Sequence, residues 1–261
     1  SIIVYFTKHN NTHMNNTFFT RRSIRKYTDK PVSQELLDRI LLAGTRTSTT
    51  GNMQLYSIIV TQDKDRMKEM APFHFNQPIA TNAPLMLTFC ADFNRFNQYC
   101  SFRDADTTAY NNLQSYHWAV IDAIIAAQNA CVAAESLGLG ICWLGTITYN
   151  ADKFIQSFNL PKGVVPVACI SMGYPAENPE LTDKLPLEAL VHFETYQDYT
   201  EERINSLFEE KENHPTTQNL LKENELPNLA KIFTEKRYKK ADNEYFATVL
   251  MKVLKQQGFL S

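Results

Sequence analysis

A helical segment that is apolar almost all round most constrains how this chain folds. It extends from about Gln114 to Leu137, and Asp122, Gln128 and Asn129 interrupt it. Its apolar residues are Trp118, Val120, Ile121, Ile124, Ile125, Ala126, Ala127, Ala130 and Val132. A helix with this pattern must be covered on every side, and a second copy of the chain supplies that cover most easily. The interrupting polar residues argue against an isolated membrane span.

Three other segments have the composition of β-strands, namely residues 56–61, 85–91 and 164–172. Each is rich in β-branched or other apolar residues and is bounded by Pro, Gly or Asp. Further helices are predicted at residues 34–43, directly after Asp63, and at residues 150–158. Because strands and helices alternate along the chain, we expect an α/β or α+β fold.

The sequence Arg21-Arg22-Ser23-Ile24-Arg25 gathers three guanidinium groups and one hydroxyl within five residues. Arg can bind phosphate oxygens through two hydrogen bonds at a time, so this segment is a candidate anion-binding site. A basic stretch near an N-terminus is also typical of a solvated arm. A predicted helix at residues 34–43, a polar loop at residues 45–54 and a predicted strand follow this segment in that order.

A glycine-rich segment follows the long helix, with glycines at positions 138, 140 and 145. It does not have the G-x-G-x-x-G spacing and it follows a helix instead of a strand, which excludes a Rossmann dinucleotide-binding turn. Gly138 and Gly140 either end the helix or allow the backbone to approach a ligand closely.

Taken in order, these segments resemble the FMN-dependent nitroreductase family. The similar motifs are the Arg-Arg-Ser-x-Arg segment, the loop Thr50-Gly51-Asn52-Met53-Gln54, residues 133–145 and residues 166–179. The resemblance implies an α+β fold of three layers, α/β/α, in which a central, mostly antiparallel sheet is flanked by helices. It also implies a domain-sharing homodimer that binds FMN and takes hydride from NADPH or NADH.

The resemblance also suggests which residues contact the flavin. The expected phosphate ligands are Arg21, Arg22, Ser23 and Arg25. The partner subunit is expected to contribute Thr49, Thr50 and Asn52. Gln77 is expected along the ribityl chain, although Ile79 replaces an aromatic residue that the family often has nearby. The ring is expected beside Trp143, Leu144, Gly145 and Thr146, where relatives often have a second Gly in place of Thr146.

Lys184 is the candidate cation for the edge of the reduced flavin ring. The longer branch of the family carries a Lys-x-Arg pair here, whereas this chain has Thr182-Asp183-Lys184. One positive charge about 4 Å from that edge would stabilise the anionic, reduced ring by roughly 4 kcal/mol at an effective dielectric near 20. The alternative is that Lys184 is an ordinary surface lysine.

The sequence divides into three parts by composition. Residues 1–17 are expected to form an N-terminal arm or a leader, with Met14 as a possible start, and residues 18–195 to form the FMN-binding core. Residues 196–261 are charge-dense and are expected to form a helical extension packed on the core or on the partner. This extension is similar to that of the longer, NADPH-preferring oxygen-insensitive nitroreductases and flavin reductases. Its basic residues Arg203, Lys211 and 236–240 are candidates for recognising the 2′-phosphate of NADPH.

Composition limits the possible partners and location of the protein. A net charge of −2 and a pI near 6.3 give no general attraction to nucleic acid or to an anionic membrane. The five cysteines are odd in number and form no C-x-x-C pair, so we expect reduced thiols and a cytoplasmic location.

No catalytic triad, P-loop or metal-binding motif is present in the sequence, as expected where a cofactor performs the chemistry. The resemblance implies a ping-pong oxidoreductase in which NAD(P)H and then a small-molecule acceptor use the same slot. The acceptor would be a nitroaromatic compound, a quinone or a flavin. Two alternatives remain open: a flavoenzyme for one specific metabolite, of the dehalogenating or azoline-oxidising type, and a flavin-storing or flavin-sensing protein with little turnover.

Overall fold

The computed structural model describes residues 17–260, so the expected N-terminal arm and Met14 lie outside the described residues apart from residue 17. The chain divides into two compact units. The first contains the residues up to Glu180 and from Leu250 onward, and the second is Leu181–Val249.

A four-stranded sheet forms the centre of the first unit. Its strands are β1 (Tyr56–Thr61), β2 (Leu85–Asp92), β3 (Gly140–Trp143) and β4 (Val164–Gly173). They lie in the order β1-β2-β4-β3, and each neighbouring pair is antiparallel. The three predicted strands are confirmed within one residue at each end. Strand β3 was not predicted, because four residues between a glycine-rich turn and a loop carry too little strand pattern.

The helices of the first unit are α1 (Thr17–Thr20), α2 (Gln34–Gly44), α3 (Lys64–Met70), α4 (Ile79–Asn82), α5 (Asn94–Ser101), α6 (Leu113–Ser136) and α7 (Ala151–Ser157). The second unit contains α8 (Glu201–Asn213), α9 (Pro215–Asn224), α10 (Leu229–Lys231) and the start of α11 (Lys240–Gln257). Short 3-10 turns lie at Thr50–Asn52, Ala71–His74, Gly145–Ile147 and Leu187–Ala189, and a π-helical turn lies at Ile232–Arg237.

Helices cover both faces of the sheet. Every residue of β2 and β4 is buried, and side chains on successive residues of a strand point to opposite faces. Leu87 and Phe89 of β2 pack in the core that contains α6 and α2, whereas Met86 packs in a second core with Met67 and Phe154. The expected α+β fold with three α/β/α layers is therefore confirmed.

The long helix α6 faces the sheet with small side chains. Six alanines line its buried face: Ala119, Ala123, Ala126, Ala127, Ala130 and Ala134. On the other side, Ile121 and Ile125 are each 41% exposed. Among the described helices α6 alone is long and apolar enough to cross a membrane, and its alanine face belongs to the main core of the unit. Within one chain, the helix is covered on one side and partly open on the other.

Gly138 and Gly140 have different structural roles, the first at the end of α6 and the second at the contact between β3 and Ile24. Gly138 has φ 84°, a conformation that suits glycine just beyond a helix end. A Cβ atom at Gly140 would lie 2.6 Å from both Cβ and Cγ1 of Ile24, closer than such atoms can approach. Ile24 is held there because its amide donates to the Ile141 carbonyl at 2.9 Å. Gly140 therefore allows the arginine segment to lie against β3.

The second unit has its own small apolar cluster of Leu221, Leu229 and Ile232. The hydroxyl of Thr200 caps α8 by accepting from the Arg203 amide at 3.2 Å. Lys211 donates to Asp183 at 2.5 Å and thereby lowers the pKa of that carboxyl.

Gly140→Ala is expected to destabilise the protein by about 1–3 kcal/mol, because overpacking forces the backbone at Ile24 away from β3. Gly145→Ala is the matched control, since a Cβ atom there would meet nothing within 4 Å. We expect the control to change the free energy of unfolding by less than about 0.5 kcal/mol. Urea denaturation of the two variants measures the difference, and equal stabilities would contradict the proposed role of Gly140.

Candidate functional site

Two of the three arginines of the N-terminal cluster are engaged with the first unit. The Arg21 Nε donates to Glu135 Oε2 at the end of α6, at 3.3 Å. The Arg22 Nη1 donates to Asn178 Oδ1 at 2.8 Å and to the Pro179 carbonyl at 2.7 Å. These bonds tie the segment to the end of α6 and to residues 178–179, so Arg21 and Arg22 have a structural role.

Arg25 and Ser23 keep their side chains available. Arg25 is exposed, and neither its guanidinium nor the Ser23 hydroxyl makes a hydrogen bond or ion pair with residues 17–260. The backbone at Arg25 is nevertheless fixed, because Glu177 Oε1 accepts from the amides of Arg25 at 2.5 Å and Lys26 at 3.1 Å. Of the three arginines, Arg25 alone thus has a guanidinium without a partner in the described chain, and its backbone is held by Glu177.

The turn at residues 143–146 continues directly from β3. Trp143 is half-buried at the end of the strand, and the Leu144 amide donates to the Cys169 carbonyl at 2.8 Å. At Gly145 a side chain would enter open space, so the backbone of this turn is accessible to a flat ligand. Burial raises the pKa of the Cys142 thiol, and the charges of Arg25 and Arg21 oppose that rise. The arginines and the turn therefore lie on the same edge of the sheet.

A buried histidine connects this turn to the loop that carries Gln77. The ring Nδ1 of His74 lies 2.7 Å from the Thr146 hydroxyl, and the His74 carbonyl accepts from the Gln77 amide at 3.2 Å. Gln77 itself is exposed. His74 is fully buried, and its Nε2 has no hydrogen-bond partner in the described chain. Gln77 and Thr146 are thus brought to one place by a contact that the sequence pattern did not indicate.

The loop with Thr49, Thr50 and Asn52 is anchored to the middle of α6. Asp122, 1% exposed, accepts from the Thr50 amide at 2.9 Å, from the Thr50 hydroxyl at 3.0 Å and from the Leu55 amide at 3.1 Å. Three bonds to one carboxylate compensate for its burial. The Thr49 hydroxyl is buried without a partner in the described residues, and exposed Asn52 adopts φ 56°.

The structure does not bring this loop and the arginine segment together within one chain. The loop leads into β1, at one edge of the sheet, whereas the arginine segment pairs with β3 at the other. Their anchors on α6, Asp122 and Glu135, are thirteen residues apart, or about 20 Å along a helix. One chain therefore contains the two halves of the predicted site at separate places.

Lys184 lies outside the first unit, in a segment without helix or strand in the second unit. Its side chain is exposed. The neighbouring Asp183 is paired with Lys211 and is therefore not available to neutralise it.

Three residues that shape the site were not predicted as part of it: His74, Asp122 and Glu177. Asp122 was interpreted only as an interruption of an apolar helix. A buried carboxylate in such a helix needs hydrogen-bond partners, and this requirement was the signal that could have identified Asp122. His74 and Glu177 gave no comparable signal, because their partners lie 72 and 152 residues away.

The burial of His74 makes the stability of the protein dependent on pH. Burial lowers the pKa of His74 to about 4 from 6.5. Because the unfolded chain takes up this proton at higher pH, stability falls as the pH drops through 6.5 toward 4, by roughly 3 kcal/mol in total. His74→Leu should lose that part of the acid sensitivity, measured by urea denaturation between pH 7.5 and 4. Exposed His117→Gln should behave as the wild type, and equal pH dependence in all three proteins would contradict the assignment.

Comparison with known proteins agrees with this architecture. The sequence model of the nitroreductase family matches residues 19–174. An FMN reductase [NAD(P)H] of Bacillus subtilis is 40% identical over 176 residues, which is 67% of this chain and 71% of that protein. An oxygen-insensitive NADPH nitroreductase of Salmonella typhimurium is 37% identical over 183 residues, 70% of this chain and 74% of that protein.

Solved structures show the same fold. A crystal structure of an oxidoreductase from Bacteroides fragilis superposes with a TM-score of 0.93 at 45% identity, and covers 95% of this chain and 100% of that one. The NADPH:FMN oxidoreductase of Vibrio harveyi in complex with NAD⁺ has a TM-score of 0.78 at 27% identity, over 94% of this chain and 98% of that one. The motif order, the three-layer fold and these matches place the chain in the nitroreductase family.

Proposed function

We propose that this protein is an FMN-dependent oxidoreductase that takes hydride from NAD(P)H and reduces a small-molecule acceptor, namely a nitroaromatic compound, a quinone or a flavin. The observation that carries the proposal is the free Arg25 and Ser23 pair beside the accessible turn at residues 143–146. The relatives named as FMN reductase [NAD(P)H] and NADPH-flavin oxidoreductase support the same activity.

The phosphate end of FMN fits the arginine segment. A dianionic phosphate needs cations and hydrogen-bond donors, and Arg25 with Ser23 supplies both without breaking an existing bond. Arg21 and Arg22 add positive charge nearby, while their bonds to Glu135, Asn178 and Pro179 keep the backbone in place. This division makes Arg25 the principal phosphate ligand among the three arginines.

The ring end of FMN fits the turn that follows β3. Gly145 has open space beside its backbone. Trp143 and Leu144 precede it at the end of β3, where the hydrogen bond from the Leu144 amide to the Cys169 carbonyl fixes the backbone. The bond between His74 and Thr146 fixes this turn relative to Gln77, which is assigned to the ribityl chain. When bound here, FMN supplies hydride transfer, and the chain orients it and limits access of water. A shared slot for NAD(P)H and acceptor gives ping-pong kinetics.

A homodimer would complete the site. The loop of Thr49, Thr50 and Asn52 is anchored at Asp122, about 20 Å along α6 from Glu135, which anchors the arginine segment, so these three residues are assigned to the flavin of the partner subunit. The unpartnered Thr49 hydroxyl and the 41% exposed Ile121 and Ile125 on the outer side of α6 support this arrangement. The same pairing would cover the open face of the helix.

The remaining assignments concern the second unit and the location of the protein. The FMN-binding core is assigned to residues 18–195 and the helical extension to 196–261, with Lys184 placed at the edge of the reduced ring. NADPH is assigned as the preferred donor because the extension carries Arg203, Lys211 and residues 236–240; Arg203 and Lys211 would exchange their bonds to backbone carbonyls and to Asp183 for its 2′-phosphate. A cytoplasmic location is favoured by five cysteines that are all unpaired and buried.

Turnover with a quinone tests the function directly. The FMN-loaded protein should oxidise NADPH rapidly in the presence of menadione, and more efficiently than NADH by kcat/KM. A bound, visible flavin that NADPH cannot bleach under anaerobic conditions would instead identify a protein that stores or senses flavin. Anaerobic half-reactions with a panel of nitroaromatics, quinones and flavins would then rank the acceptors.

Arg25→Ala should weaken FMN binding about ten- to hundred-fold, because a charge-assisted hydrogen bond is worth roughly 1.5–3 kcal/mol. Arg39→Ala is the matched control, since Arg39 is equally exposed and lies on α2. Fluorescence titration of the flavin-free proteins measures both affinities, and the Arg25 variant should purify largely colourless yet folded. A yellow Arg25 variant with wild-type affinity would show that the phosphate is bound elsewhere.

A further inference from the structure

A carboxylate binds the backbone of the arginine segment. Glu177 Oε1 accepts two successive backbone amides, from Arg25 at 2.5 Å and from Lys26 at 3.1 Å. The charges of Glu177 and Arg25 both act on the buried Cys142 thiol, whose pKa the carboxylate raises and the guanidinium lowers. An acid at this place needs an explanation, since the same segment is proposed to bind a dianionic phosphate.

Glu177 belongs to residues 174–179, which form hydrogen bonds with the arginine segment at several positions. The Thr28 amide donates to the Tyr174 carbonyl, and the Ala176 amide donates to the Lys26 carbonyl, both at 2.9 Å. Asn178 and Pro179 accept from the Arg22 guanidinium at 2.8 and 2.7 Å. Between these contacts, the backbone at Arg25 has Glu177 as its only side-chain acceptor within residues 17–260.

Two physical effects of Glu177 on an incoming phosphate have opposite signs. Coulomb repulsion between the carboxylate and the phosphate weakens binding, and the effect decreases with distance and solvent exposure. Fixing the backbone of Arg25 strengthens binding, because the guanidinium then needs less ordering when it meets the phosphate. The exposed Arg25 side chain has no other restraint in the described chain, so the second effect should dominate.

We propose that Glu177 is a positioning residue of the flavin-phosphate site, which holds the backbone of Arg25 and Lys26 so that the Arg25 guanidinium faces the phosphate. This inference rests on the proposed function and adds to it a role for an acidic residue. Glu177 acts through its hydrogen bonds to the two amides and makes no contact with the flavin.

The experiment compares Glu177→Ala, Glu177→Gln and Glu180→Ala in the full chain after removal of flavin. The Ala variant loses both the charge and the acceptor, whereas the Gln variant loses only the charge. Glu180 is exposed and three residues away, and its variant controls for the loss of one negative charge nearby. Dissociation constants are measured for FMN and for riboflavin, which has no phosphate, by fluorescence titration, and unfolding midpoints are recorded for all variants.

Glu177→Ala should weaken FMN binding about ten-fold and leave riboflavin binding unchanged, because only the phosphate end is affected. Glu177→Gln should stay within about three-fold of the wild type, since its amide oxygen can still accept both backbone amides. Glu180→Ala should bind FMN as the wild type or slightly more tightly.

Three results would overturn the proposal. Tighter FMN binding by Glu177→Ala would show that repulsion between the Glu177 carboxylate and the FMN phosphate outweighs the effect of fixing the backbone. Equal losses in the Ala and Gln variants would show that its charge matters instead of its hydrogen bonds. Equal losses of FMN and riboflavin would indicate a general folding defect. A wild-type protein that binds neither flavin would refute the proposed function itself, which is a separate outcome.

Discussion

The close contact between Ile24 and Gly140 determines where the arginine segment lies. Ile24 is 5% exposed and sits directly over the glycine, with its amide bonded to Ile141 on the neighbouring strand. A β-branched side chain has little rotameric freedom with which to avoid an added methyl group. The backbone of β3 can therefore carry the segment only while position 140 has no side chain, and Ser23 and Arg25 take their places on either side of this contact.

The acidic residues beside the arginines are a consequence of that anchoring. Glu135 at the end of α6 pairs with Arg21, and Glu177 binds the amides of Arg25 and Lys26. Burial raises the pKa of Glu135, and the charge of Arg21 opposes the rise. Each carboxylate reduces the net positive charge of the segment but also removes conformational freedom from it. The Arg25 guanidinium has no partner in the described chain and its backbone is held by Glu177, which reduces the ordering that the proposed phosphate binding would require.

The parts of the molecule that were predictable from sequence are those specified by local patterns. The strand at Tyr56–Thr61 and the helix Leu113–Ser136 follow from composition and periodicity, and the ordered motifs indicated the family, which the comparisons confirm. The strand Gly140–Trp143 was missed because its stability comes from pairing with β4 and with Ser23, not from its own four residues.

The individual contacts of the site could not be predicted for a related reason. The Arg21–Glu135 pair and the His74–Thr146 bond join residues 114 and 72 positions apart, and only the folded sheet brings them together. Sequence motifs indicated that three arginines belong to the segment, but not that two of them would be engaged and Arg25 left free. That distinction depends on Glu135, Asn178 and Pro179, none of which stands out by its residue type.

Helix α6 takes part both in the core of one chain and in the proposed pairing of two chains. Its alanine face packs closely on the sheet, because small side chains allow the helix and the strands to approach each other. On the same helix, Asp122 anchors the loop of Thr49 and Thr50, and Glu135 anchors the arginine segment, about 20 Å away. A rigid helix cannot shorten the distance between these two anchors, which supports the proposal that the loop and the arginine segment of one site come from two chains. Ile121 and Ile125 are exposed and Asp122 is buried, yet all three lie within about one turn of α6, so the proposed pairing surface and the anchor of the loop occupy the same part of the helix.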